Sequence, residues 1–135
     1  VPDILDVATR RLVPDDMNFI LNSWKKSFRG SRGEWKNRQY FAEANRRIMR
    51  IMNRLPKIRI ACDPLDPKHI FGWIVAEPPV LHYIYVKNVF RRAGVAQTLL
   101  ATVDLSTAAK IHCTHWTSYA EKTAKKRPCF INNEV

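Results

Sequence analysis

Three β-rich runs follow one another with no helix between them, KIRIACDP, DPKHIFGWIVAEPP and VLHYIYVK, and the third leads through NVFRRAGVA into the apolar-periodic GVAQTLL. Proline and aspartate separate the runs, a pattern that reads as consecutive antiparallel strands. The third is apolar or aromatic on both faces apart from His82, which places it centrally in the sheet. Strand, glycine turn and helix then form one crossover unit, so the chain is confined to a mixed α/β architecture.

The flanking segments fill in that frame. ILDVATRRLVP alternates as a strand does, and Pro14, Asp15 and Asp16 suit a helix entrance, with acids in the first turn. Phe19, Ile20, Trp24 and Phe28 lie near one face of the next segment, which predicts a helix to about Phe28, broken by GSRG at 30–33. From Gln39, QYFAEANRRIMRIMNRL sets Phe41, Ala44, Ile48, Ile51, Met52 and Leu55 at steps of three and four, an amphipathic helix ended before Pro56. GVAQTLLATVDLSTAA predicts another helix with Val95, Leu99, Leu100 and Val103 inward. IHCTHW reads as a fifth strand, SYAEKTAKK as a short helix and CFINNEV as a last strand. The predicted order is β, α, α, β, β, β, α, β, α, β, in one domain over residues 1–135.

At 135 residues and 46% hydrophobic the chain suits one core. No run approaches the roughly 18 apolar residues of a membrane helix, and VPDILDVATRR lacks the layout of a signal peptide, so a soluble cytoplasmic protein with no membrane partner is expected. Cys62, Cys113 and Cys129 are odd in number and widely spaced, which suggests neither a disulfide framework nor a metal site. The charge is uneven: residues 25 to 59 hold twelve Lys and Arg against Glu34 and Glu43, a local net of +10 out of +11 for the whole chain. On the second helix Arg46, Arg50 and Arg54 make a like-charge ladder, which is either a solvated face or a surface for an anionic partner.

The basic turn RRAGVA stands where a helix presents unpaired N–H groups and the positive end of its dipole. A glycine there lets an anion approach the backbone, and Arg91 and Arg92 reinforce the charge. There is no GxxxxGK[ST] and no GxGxxG, so neither a P-loop nor a dinucleotide fold is indicated. VLHYIYVKNVFRRAGVAQTLL resembles the fourth strand, pyrophosphate loop and third helix of the GNAT superfamily of acyl-CoA-dependent N-acyltransferases. That family's loop is Gln or Arg, two residues, Gly, one residue, then Gly or Ala, a pattern met by Arg91, Gly94 and Ala96, and the element order also matches.

The resemblance implies a mostly antiparallel twisted sheet with splayed fourth and fifth strands, flanked by helices, and acetyl-CoA as acyl donor. The backbone of Arg91, Arg92, Ala93, Gly94, Val95, Ala96 and Gln97 would grip the pyrophosphate, and the strand end at Tyr85, Val86 and Lys87 would pair with the pantetheine arm. It implies acetyl transfer to a primary amine, which needs a base for the amine and an acid for the thiolate. The candidates are Glu77, His82 and His115, with Thr114 of THWT near the acceptor; His82 stands out because an imidazole in an apolar strand has to find a partner. Tyr119 answers to the family's thiolate-protonating tyrosine, but AEKTAKKRPCF after it lacks the usual spacing and glycine. In or beside the first two helices, Trp24, Ser27, Arg29 and Tyr40 would line the acceptor cleft.

The basic segment favours an anionic or nucleic-acid-associated acceptor. Little follows CFINNEV to supply the family's usual last strand, so either the sheet is shortened or a second subunit, as in a homodimer, completes it. The alternative is a GNAT-like fold without catalysis that binds nucleic acid through its basic helix.

Overall fold

The computed structural model of the chain describes residues 5–32, 38–105, 110–114 and 130–132, and for 27–32, 38–41 and 130–132 the backbone only. Six strands form one sheet in sequence order: β1 (Ala8–Arg11), β2 (Lys57–Asp63), β3 (Asp66–Glu77), β4 (Val80–Val86), β5 (Ile111–Cys113) and β6 (Phe130–Asn132). The pairs from β1 to β4 are antiparallel, while β4 with β5 and β5 with β6 are parallel. The three runs between Lys57 and Val86 are therefore the antiparallel strands that their composition predicts, and β4 is an interior strand.

Helices cover both faces. On one, α1 (Met17–Arg32) and α2 (Arg38–Met52) bring Ile20, Trp24, Ala44, Ile48 and Ile51 onto Ile58, Ile60, Trp73, Val75 and Tyr83. On the other, α3 (Val95–Thr102) sets Val95, Leu99 and Leu100 against Phe71, Ile74, Ala76 and Leu81. Each fully buried side chain of this size contributes about 1.5–3 kcal/mol. The entrance to α1 is secured by Asp16, which accepts the Val13 N–H at 2.9 Å and pairs with the Arg10 guanidinium at 2.7 and 2.9 Å.

Three helix ends differ from the sequence reading. α1 runs through Gly30 to Arg32, because a single interior glycine costs only about 1 kcal/mol while the helix goes on forming hydrogen bonds. α2 stops at Met52, and its last bonds tighten to Arg54 N–H to Ile51 O and Leu55 N–H to Met52 O, with Leu55 at φ 54°. Arg54 thus stands in the terminating turn rather than on the helical ladder. α3 stops at Thr102 because Asp104 takes φ 61°, donating its N–H to Ala101 O while Leu105 donates to Leu100 O, the paired bonds of a left-handed helix stop. Leu100 and Leu105 are both buried, so the stop also closes the core. The predicted helix SYAEKTAKK lies outside the described residues. No helix among the described residues is long and apolar enough to cross a membrane.

Candidate active site

The register of β3 with β4 changes in one place. Val75 pairs with Tyr83 and Ala76 with Leu81, so His82 is an extra residue, a bulge in β4. The bulge reverses the alternation: Leu81, Ile84 and Val86 all face α3, whereas Tyr83 and Tyr85 face α1 and α2. It also stands next to the end of the β4–β5 ladder. The last β4–β5 pair is Leu81 with Cys113, closed by the Thr114 N–H to Leu81 O at 3.1 Å, while β4 itself continues to Val86. Pairing of the two parallel strands therefore ends next to the bulge.

Three side chains converge at that point. His82 Nε2 lies 2.7 Å from Glu77 Oε1 and its Nδ1 lies 2.8 Å from Thr114 Oγ1. Arg54 donates to the same Glu77 oxygen through Nε at 3.0 Å, and its Nη2 lies in ion-pair contact with that oxygen, also at 3.0 Å. Burial pushes the His82 imidazole below its ordinary 6.5, outweighing the upward pull of Glu77. Arg54 first and His82 second hold the Glu77 carboxyl below its ordinary 4.5. At neutral pH Glu77 is therefore a carboxylate and His82 a neutral imidazole. A carboxylate only accepts, so Nε2 carries the ring proton, and the lone pair of Nδ1 accepts the Thr114 hydroxyl. His82 is 2% exposed and Glu77 is 33% exposed at its side chain, so Glu77 is the member that reaches solvent.

The loop that ends β4 supplies a second set of groups. Lys87 N–H closes on Phe71 O at 2.8 Å, residues Asn88–Phe90 make one tight helical turn, and Arg91 Nε returns to Val86 O at 2.9 Å. Arg92 and Gly94 then take φ of 65° and 84°, and α3 begins at Val95. A Cβ on Gly94 would meet nothing within 4 Å, so the glycine answers to the backbone angle alone. The first α3 bond, Thr98 N–H to Gly94 O, leaves the N–H groups of Val95, Ala96 and Gln97 ahead of it at the positive end of the helix. Such a left-handed turn into a helix is an anion-binding concavity.

This architecture is also found in solved proteins. The chain is similar in structure to a GCN5-related N-acetyltransferase from Rhodopseudomonas palustris, with a TM-score of 0.65 and 16% identity over 91% of this chain and 81% of that one. It is likewise similar to apo YjaB from Escherichia coli, with a TM-score of 0.63 and 14% identity over 90% of this chain and 81% of that one. The chain has the GNAT fold. No family model and no curated protein sequence matches it.

Within this GNAT fold the sequence-derived candidates separate. Glu77, His82 and Thr114 come together, with Thr114 holding His82. Tyr85 is half-buried, its ring 6.2 Å from Phe19 and 5.8 Å from Trp73; Val86 packs toward α3; Lys87 Nζ lies 5.1 Å above the Phe19 ring. Trp24 is a core residue, 0% exposed, with its ring 5.5 Å from Trp73 and 5.8 Å from Tyr83, so it is too deep to line an open cleft. The side chains of Ser27, Arg29 and Tyr40, and the whole of His115 and Tyr119, lie outside the described residues. The arginine ladder loses Arg54, which pairs with Glu77, while Arg46 and Arg50 stay on α2 and Arg46 pairs with Glu43 at 2.9 Å. Arg54 is the member of the site that sequence reasoning assigned elsewhere, and the proline two residues after it was the signal that the helix would end near it.

Proposed function

We propose that this chain is an N-acetyltransferase that transfers an acetyl group from acetyl-CoA to a primary amine. One observation carries the reading: the left-handed turn at Arg92–Gly94 opens α3 at the end of the same β4 whose bulge sets Glu77, His82 and Thr114 beside the end of the β4–β5 ladder. The donor chemistry fits these residues, because the amides of Val95 to Gln97 and the nearby Arg92 suit a pyrophosphate, and the strand end from Tyr85 to Lys87 suits an extended amide-bearing arm. Bound acetyl-CoA supplies an acyl group activated as a thioester.

The chain's own residues handle the acceptor. Glu77, ionised and facing solvent, binds the acceptor's ammonium and takes a proton from it, directly or through one water. His82 holds that carboxylate by its Nε2 proton and is itself fixed by Thr114, so both act to position Glu77. The names of the two structural neighbours agree with this chemistry in one case and are silent in the other.

Calorimetric titration with acetyl-CoA and with free CoA tests the proposal, on the wild type and on Gly94→Glu. Saturable binding is expected, and it should be lost in the variant, which puts bulk and negative charge at the amide-lined turn. Failure of the folded wild-type protein to bind either molecule would end the acyltransferase reading.

A further inference from the structure

Glu77 uses its two oxygens unequally. Oε1 accepts two hydrogen bonds, from Arg54 Nε and His82 Nε2, and has Arg54 Nη2 in ion-pair contact at 3.0 Å, whereas Oε2 has no hydrogen bond among the described residues. The free oxygen is the one left for an incoming ammonium. Yet an ammonium arriving there joins Arg54, so two cations face one carboxylate. A simple cationic amine is poorly matched to this opening.

Arg54 is built to change partners. It is 50% exposed, stands in the turn after α2 rather than in the helix, and has no ion pair other than Glu77 among the described residues. Its Nη1 makes no hydrogen bond among the described residues, and a guanidinium takes a carboxylate or phosphate through two parallel N–H groups. Resting on the acetyltransferase reading above, we propose that Arg54 determines acceptor specificity: it leaves Glu77 to bind an anionic group that the acceptor carries beside its amine, so the acceptor is a primary amine bearing a carboxylate or a phosphate. The exchange restores charge balance at the opening. It also matters for proton transfer, because Arg54 is the foremost reason that Glu77 holds a proton weakly, and a carboxylate freed from it is a better base.

The test uses matched amines, β-alanine against β-alaninamide and O-phosphoethanolamine against ethanolamine, with CoA release measured for the wild type, Arg54→Met and Arg54→Lys. In the wild type the anionic member of a pair is expected to exceed its neutral counterpart in kcat/KM by about tenfold to hundredfold, the worth of one charged hydrogen-bonded contact. The preference should vanish in Arg54→Met and persist in part in Arg54→Lys. The two pairs separate carboxylate from phosphate. A second readout needs no turnover: the imidazole nitrogen signals of His82, assigned among the four histidines with His82→Gln, should move when β-alanine or O-phosphoethanolamine is added to the wild type and stay still in Arg54→Met. Equal use of neutral and anionic amines, a preference that survives in Arg54→Met, or a His82 signal indifferent to both anions would overturn the assignment. Acetyl-CoA binding, measured separately by calorimetry, tells failure of the acyltransferase reading from failure of this one.

Discussion

His82 and Glu77 are joined by a 2.7 Å hydrogen bond that exists because β4 carries one residue too many opposite Val75 and Ala76. Regular pairing would keep His82 on the face of Ile84 and Val86, against α3, among apolar side chains. The bulge turns the ring out of that alternation, toward the hairpin end of β3 where Glu77 stands.

Acid should weaken the protein in a way that His82 dominates first. Its folded pKa lies below the unfolded value of 6.5, so the unfolded chain takes up the proton before the folded one does, and stability falls as pH drops below about 6.5. Glu77, depressed from 4.5, adds a further loss only at lower pH. Thermal unfolding followed by circular dichroism from about pH 7.5 to about pH 5 should show a falling midpoint, and His82→Gln should flatten the curve. Equal slopes in the two proteins would mean that His82 is not the group responsible.

Gly72, inside β3, and Gly94, at the entrance to α3, should fail for different reasons. A Cβ on Gly72 would collide with the Tyr85 carbonyl oxygen and lie 3.1 Å from Val86 Cα, both backbone atoms, so Gly72→Ala forces β3 and β4 apart at a loss of about 1–3 kcal/mol. Gly94→Ala meets open space and loses only the left-handed backbone preference, about 1 kcal/mol. Chemical denaturation of both variants should rank them in that order.

Ser23 links α1 to the sheet, accepting the Trp73 Nε1 proton at 2.9 Å while donating to Phe19 O at 2.6 Å. Ser23 and Trp73 are both buried, so Ser23→Ala leaves an indole N–H without its acceptor and should lower stability by about 1–3 kcal/mol. In a double-mutant cycle with Trp73→Phe, the combined loss should fall short of the sum of the single losses. Simple additivity would show that the hydrogen bond contributes nothing.

Leu55 is the opposite case, a residue whose replacement should help. It is 88% exposed and holds φ 54° after the end of α2, a conformation a branched side chain resists. Leu55→Gly should raise stability by about 0.5–1 kcal/mol, net of the added freedom of the unfolded chain, measured as a higher denaturant midpoint at unchanged slope. A lower midpoint would mean that the leucine is held there by contacts worth more than the strain.

The amino-acid sequence by itself determined which of the described segments are strands and helices, and that a glycine turn opens α3 at Gly94, because those properties are carried by neighbours within one or two turns of chain. Alternation and three-to-four spacing announce an element, and a glycine before a helix announces a backbone angle, whatever surrounds them. Only the tertiary structure decided that Trp24 belongs to the core, that Thr114 serves His82, and that Arg54 leaves its ladder for Glu77. Those contacts join residues far apart in the chain, across a register that composition does not specify. The bulge at His82 is the sharpest instance: VLHYIYV is apolar on both faces, so one extra residue changes which side each chain faces without leaving any mark in the hydrophobic pattern. The site depends on that one-residue shift, which becomes definite only when β4 is laid against β3.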